Sequence, residues 1–317
     1  MPRVDKIVVV TKKTWLEELI ERFGTKSQAK FYIEYMGGSF EDYELAHKQY
    51  YHSLGELKKL LPTDVKSQII EKSFLPNFLF GPNDLVVVIG QDGLVINTAK
   101  YLEKQKIVAI NPDPDRFDGI MLPFRVNQFP KLYRKIIDDQ FDLIKVSMAV
   151  AQLNNNQKIY GVNDLFIGHK SHGSARYTLT FENYSERQSS SGIIVSTGAG
   201  STAWFRSVIT GAVGIVNKFL EYRGVIEMPT EDEYRFPWDA SFLKFNVREP
   251  FVSKTSNANI FHDIIYSGNN LVIESHMPEK GVIFSDGIEN DYLEFNSGTI
   301  AEISVADKKA HLITRIK

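Results

Sequence analysis

Cysteine is absent from the 317 residues, which excludes disulfides, thiolate metal sites and a cysteine nucleophile, and suits a reducing compartment. A surplus of one charge is also lacking: 37 Lys and Arg stand against 39 Asp and Glu, a net of −2, with no basic block. Nucleic acid is therefore not an expected partner, because its binders carry a basic footprint. No apolar run approaches the roughly 18 residues of a membrane span. The start, Met1-Pro-Arg-Val-Asp-Lys, runs straight into Ile7-Val-Val-Val10 without the pattern of a signal or transit peptide. No membrane partner is expected, and the cytoplasm is the expected location. There is no internal repeat, and no low-complexity tract longer than Gln188-Ser-Ser-Ser191.

What is present is a hydrophobic share of 43%, more than one core of about 100–200 residues requires, so two domains are expected. In residues 1–138 the hydrophobic period alternates between 2 and 3.6. Strand-like runs at Lys6–Thr11, Asp84–Gly90 and Lys106–Asn111 alternate with helical patterns at Thr14–Gly24, His47–Leu61, Leu94–Glu103 and Phe129–Ile137. Such alternation predicts a mostly parallel sheet covered by helices. Residues 139–317 read as mainly β, with runs at Leu143–Leu153, Tyr160–Ile167, Arg176–Phe181, Gly192–Ser196, Phe242–Val247, Asn270–Ser275, Gly281–Phe284 and Tyr292–Ala306. One helical pattern interrupts them, Phe205–Tyr222, and it should pack beside the loop that precedes it.

Three segments carry the residue types of a phosphate and nucleotide site. Gly90-Gln-Asp-Gly93 joins a buried strand to a helix, where backbone N–H groups favour an anion. Asp92 would stand at the carboxyl end of the sheet, where ligands of open α/β sheets bind; a tight turn is the plainer alternative. Ser189–Trp204 is a β-run opening through Thr197-Gly-Ala-Gly-Ser-Thr-Ala-Trp204 into a helix. There Gly198 and Gly200 would let the backbone approach a ligand, and Ser201 and Thr202 could cap the helix or donate to phosphate or ribose oxygens. Trp204 is a core aromatic or a ring for stacking on a base. Gly161-Val-Asn-Asp164 sets an amide beside a carboxylate, which could hold two ribose hydroxyls or form a turn. Asn111-Pro-Asp-Pro-Asp-Arg-Phe-Asp-Gly119 is not an EF-hand loop, because Phe117 stands where Asp or Asn is needed. His169 and His172 have no third ligand in view, so no metal site is expected.

In this order the segments resemble the NAD kinase family, with its GGDGT-type motif, Asn-Glu pair and TGSTAY-type loop. The likeness is closest to the mitochondrial type. It is carried by Ile7-Val-Val-Val-Thr-Lys-Lys-Thr14, Asn111-Pro-Asp-Pro-Asp115, Arg116–Pro123, Asn163-Asp-Leu-Phe-Ile-Gly168, Ser190-Ser-Gly192, Thr197–Trp204 and Val247-Arg-Glu-Pro250.

The resemblance implies a Rossmann-like α/β domain followed by a β-sandwich-like domain, and a kinase making NADP from NAD, with ATP and Mg²⁺, as a homodimer. It implies Asp92 as catalytic base, and Gly90, Gln91 and Gly93 at the donor phosphates. Gly93, Asn111, Asn163, Asp164, Thr202, Ala203, Trp204 and Ser207 would then contact NAD. Gln91 and Leu94 depart from the pattern, standing for the second glycine and the threonine. A left-handed conformation at Gln91 would cost ~1–2 kcal/mol. Two rival functions stand beside the NAD kinase reading: a catalytically weak NAD(P) sensor, favoured by Gln91 and Leu94, and a kinase for another small-molecule hydroxyl, since lipid and other small-molecule kinases of the superfamily also use a GGDG-type turn.

Overall fold

The computed structural model describes residues 4–220 and 225–317. The chain divides into two compact units, Met1–Ile144 with Ala310–Lys317, and Lys145–Lys309. The last eight residues thus belong to the first unit, whereas the hydrophobic pattern alone assigns them to the second.

The strands are β1 (Lys6–Thr11), β2 (Lys66–Glu71), β3 (Asp84–Ile89), β4 (Lys106–Asn111), β5 (Phe124–Arg125), β6 (Phe141–Leu153), β7 (Lys158–Gly161), β8 (Asp164–His169) and β9 (Ala175–Phe181). Further along come β10 (Tyr184–Ser190), β11 (Ile193–Ser196), β12 (Phe242–Val247), β13 (His262–Tyr266), β14 (Leu271–Ser275), β15 (Gly281–Ser285), β16 (Ile288–Glu294) and β17 (Ile300–Ile316). The helices are α1 (Trp15–Phe23), α2 (Lys26–Tyr35), α3 (Phe40–Leu60), α4 (Asp92–Ala99), α5 (Phe129–Ile137), α6 (Trp204–Phe219) and α7 (Glu231–Tyr234).

The first unit is a Rossmann-like α/β layer. Its strands run parallel in the order β2-β1-β3-β4, with β5 and the end of β17 also parallel to β4. β1 and β3 are buried along nearly their whole length, as parallel strands covered on both faces must be. Their Ile7, Val9, Leu85, Val87 and Ile89 pack with Leu54 and Leu57 of α3 and with Phe129, Leu132 and Ile136 of α5.

Thr14 starts α1 with a reciprocal capping box to Glu17, which satisfies orphan donors at both ends of that turn. α3 begins at Phe40, capped by Ser39, well ahead of the expected His47. It is tied to the carboxyl ends of the strands. The buried Tyr50 hydroxyl accepts from Lys12 N–H at 3.1 Å and donates to Ile89 C=O at 3.3 Å, while Ser53 and Gln49 donate to Pro112 C=O. Burial pushes the Tyr50 phenol up to about 12, so it stays a neutral donor. Tyr50→Phe should lower unfolding stability by about 1–3 kcal/mol, because it leaves two backbone groups unsatisfied; urea denaturation measures it.

The two sheets of the second unit are built from antiparallel pairs. One sheet runs β10-β9-β14 onto the first part of β17, and the other runs β13-β12-β11-β8-β15-β16. Leu165, Ile167, Ile193, Val195, Leu243 and Phe245 of the second sheet share one core with Tyr177, Leu179, Leu271, Ile273 and Ile303 of the first. This is sandwich packing.

The single strand expected over Tyr292–Ala306 is two strands, β16 and β17, separated by a turn at 295–299. α6 begins on the preceding loop as expected, but of its side chains only Phe205 is fully buried. The rest of its apolar face is half-buried or exposed, and the end expected at Tyr222 lies outside the described residues. Among the described residues no helix is long and apolar enough to cross a membrane.

Candidate active site

In the first unit the GQDG segment follows β3, the most buried strand, and opens α4. Gln91 is the residue before the helix and has φ −102°. That is extended backbone, so the Cβ that replaces a glycine here carries no left-handed strain. Its side chain turns to Lys12, whose Nζ donates to Gln91 Oε1 at 2.6 Å. Asp92 is half-buried, and its Oδ1 accepts from Met121 N–H at 2.8 Å. Among the described residues this is its one hydrogen-bond partner, which leaves the second carboxylate oxygen for a ligand. Gly93 is exposed beside it, and Leu94 is packed in the core. Asn111 is buried and shapes the following loop, Nδ2 donating to Phe117 C=O and Oδ1 accepting from Asp113 N–H.

In the second unit Asn163 and Asp164 enter β8. Their positions are fixed by a residue that pattern reading misses. Asp286 lies at φ 56° in the β15–β16 hairpin, and its carboxylate accepts from the N–H groups of Val162, Asn163 and Asp164. Asp286-Gly287 between two strand runs is the sequence signal of a two-residue hairpin turn, and it is what could have found this residue. Asn163 Oδ1 is buried with no hydrogen-bond partner among the described residues, an acceptor that a ligand donor would satisfy.

Burial first, and the neighbouring Asp286 carboxylate second, push the Asp164 carboxyl up to about 7. A raised acid pKa means that below about pH 4 both folded and unfolded states are protonated and no penalty exists. The penalty then grows as pH rises toward 7 and is constant above. Asp164→Asn should therefore leave Tm little changed at pH 4 and raise it at pH 8. Thermal unfolding across that range checks the sign.

The loop Thr197–Trp204 is fastened to the same turn. Thr197 N–H donates to Asn163 C=O at 2.9 Å, and its hydroxyl donates to Val162 C=O. A Cβ at Gly200 would overlap the Asn163 carbonyl oxygen, and one at Gly198 would overlap that of Pro237. Both glycines thus serve close approach of protein backbone, where sequence reading expects approach of a ligand. Ser201 is buried and donates to Gly198 C=O; it does not cap α6, whose start has no side-chain cap.

Thr202 is half-buried and Ala203 exposed. Trp204 is half-buried. It stacks on Phe166, centroids 5.7 Å apart and planes 13° apart, and the Arg248 guanidinium sits 5.4 Å from its ring. Ser207 is exposed, its hydroxyl directed to Ala203 C=O. His169 Nδ1 accepts from Ser171 N–H. Among the described residues no group of three or more His, Asp or Glu is placed to hold a metal ion.

No protein-family model matches the chain. It is 21% identical to human "NAD kinase 2, mitochondrial" over 372 aligned residues, covering 96% of this chain and 82% of that protein. Its likeness to the rat protein of the same name is also 21%, covering 96% and 85%. Among solved structures it is similar to yeast NADH kinase complexed with NADH, with TM-score 0.55, 13% identity, and 98% of this chain and 84% of that one covered. It is likewise similar to an NAD kinase from Archaeoglobus fulgidus in complex with ATP, with TM-score 0.53, 14% identity, and coverage of 97% and 92%. These structures share the fold.

Proposed function

We infer that this chain, a member of the NAD kinase family, transfers the γ-phosphoryl group of ATP to the 2′-hydroxyl of the adenosine ribose of NAD, giving NADP and ADP. The observation that carries the reading is Asp92. It is a carboxylate with one oxygen held by Met121 N–H and the other available, at the carboxyl end of a buried parallel strand. In the proposed step Asp92 accepts the hydroxyl proton, the oxygen bonds to the γ-phosphorus, and the bond to the β–γ bridging oxygen breaks.

Gly90, Gln91 and Gly93 are the backbone at the donor phosphates, with the opening turn of α4 favouring negative charge. Mg²⁺ accompanies the triphosphate. It needs only one or two protein carboxylates beside phosphate oxygens and waters.

For NAD, the proposal takes Asn111 and Gly93 in the first unit. In the second it takes Asn163 and Asp164 for ribose and adenine, and Thr202, Ala203, Trp204 and Ser207 for the nicotinamide side. The orphaned Asn163 Oδ1 supports this, since a ribose hydroxyl or an adenine amino group would satisfy it. A homodimer belongs to the same proposal, supported by Ile215, Val216 and Phe219, which α6 leaves exposed. Cytoplasmic location is also part of it, consistent with a chain without cysteine.

The rival reading, a non-catalytic NAD sensor, draws on Gln91 and Leu94, and the extended φ at Gln91 removes the strain half of that case. Mass spectrometry of the product made from NAD and MgATP tests the acceptor. One added phosphoryl group on the adenosine ribose is expected, and a product phosphorylated elsewhere assigns the chain to another hydroxyl.

A further inference from the structure

Strand order β2-β1-β3-β4 places a topological switch point between β1 and β3. From β1 the chain leaves through α1–α3 to β2, and from β3 through α4 to β4 on the other side. The crevice outside the carboxyl ends at such a point is where open α/β sheets take ligands. Here it is a cavity of about 450 Å³, lined by residues following β1 (Lys12, Trp15, Leu16), β3 (Gly90, Gln91) and β4 (Asp113, Arg116, Phe117), and by Tyr43 and Ala46 of α3.

Two features of its lining point to one ligand chemistry. At the turn, the half-buried Lys12 ammonium has the Gln91 amide oxygen as its one side-chain partner among the described residues, and no carboxylate forms an ion pair with it. Burial first and the Lys72 ammonium second hold its pKa below the usual lysine value, and the Glu18 carboxylate opposes them in part. A half-buried ammonium with no directly paired carboxylate among the described residues is suited to receive an anion. Away from the turn the wall is aromatic. Trp15 is 63% exposed, while Tyr43 and Phe117 are half-buried around the same space. An exposed indole and two half-buried rings lining one space suit a flat base. Arg116 closes the rim, bonded to Asp42 C=O at 3.2 Å and 3.7 Å from the Asp113 carboxylate. Asp42 and Asp113 are the acids that face the space and can accept from sugar hydroxyls or a base amino group.

We propose that this crevice is the base and sugar subsite of the nucleotide donor, with Trp15, Tyr43 and Phe117 receiving the base and Lys12 leaving Gln91 to bind a donor phosphate. The proposal rests on the kinase reading for the identity of its ligand. It makes the α1–α3 segment a determinant of nucleotide over inorganic donors, and gives Gln91 a purpose: its neutral amide oxygen holds the lysine until phosphate arrives.

Isothermal titration of the full chain with MgATP and, separately, with inorganic tripolyphosphate tests this. Trp15→Ala should weaken ATP about tenfold and tripolyphosphate by less than about twofold. Lys12→Met should weaken both ligands together. Circular dichroism and Tm control for folding, which the exposure of Trp15 favours. Equal ATP affinity in wild type and Trp15→Ala, or parallel loss of both ligands in that variant, overturns the base subsite. Because binding is read without turnover, a wild type that binds ATP with these mutational effects but forms no NADP sinks the kinase reading and leaves the subsite standing.

Discussion

Asp92→Asn is expected to slow NADP formation about 10²–10⁴-fold while changing NAD affinity little. The amide keeps the shape of the carboxylate, and its oxygen can still accept from Met121 N–H, so the loop at 121 stays in place. What is lost is the capacity to take a proton. Phosphoryl transfer depends chiefly on positioning and charge, and the base contributes a limited share, hence a large but not total loss. Single-turnover kinetics with NAD in excess separates the chemical step from binding. Turnover that survives the change would make Asp92 a turn residue whose work is to hold Met121.

Gly200→Ala should have the second large effect, and on a different quantity. The new methyl group would overlap the carbonyl oxygen of Asn163, a backbone atom that cannot swing aside. The loop must therefore retreat from residues 162–163, breaking the bonds from Thr197 and displacing the Asn163-Asp164 pair. Overpacking of this kind costs about 1–3 kcal/mol and occasionally more, and NAD affinity should fall at least tenfold, roughly the equivalent of 1.4 kcal/mol. Gly211→Ala is the control. It lies in α6 with nothing within 4 Å of its added Cβ, so it should be neutral or stabilise by about 0.5–1 kcal/mol. Calorimetric Tm and NAD titration on both variants decide the matter.

The sites of these changes show which parts of the molecule sequence patterns could convey. β3 was legible because a strand buried on both faces must be apolar throughout, and the glycines after it mark the turn that carries Asp92. The 197–204 loop was legible for its small residues, although their partners were not. Gly198 and Gly200 answer to backbone at Pro237 and Asn163, a requirement that chain order does not reveal. Elements at sheet edges escaped. β2, Lys66–Glu71, is mostly exposed and β10, Tyr184–Ser190, mostly polar, so neither shows the alternation of a half-buried strand. α2 escaped because it buries only Ala29 and Ile33 and leaves Phe31 and Tyr35 exposed, blurring the 3.6 period. The rest was invisible because it is long-range. Lys12 meets Gln91 across 79 positions and Asp286 meets Asn163 across 123. A sequence window sees Gln91 as a lost glycine, whereas the fold shows an extended residue holding a lysine.

The most direct measurement is NADP formation by the purified chain incubated with NAD, ATP and Mg²⁺, read by an enzymatic assay specific for NADP. The expected result is NADP and ADP appearing in equal amounts, with little ADP formed when NAD is left out. Tight binding of NAD with no NADP from ATP, other nucleoside triphosphates or polyphosphate would contradict it, and would make the chain a dinucleotide-binding protein in which Asp92 has no chemical part.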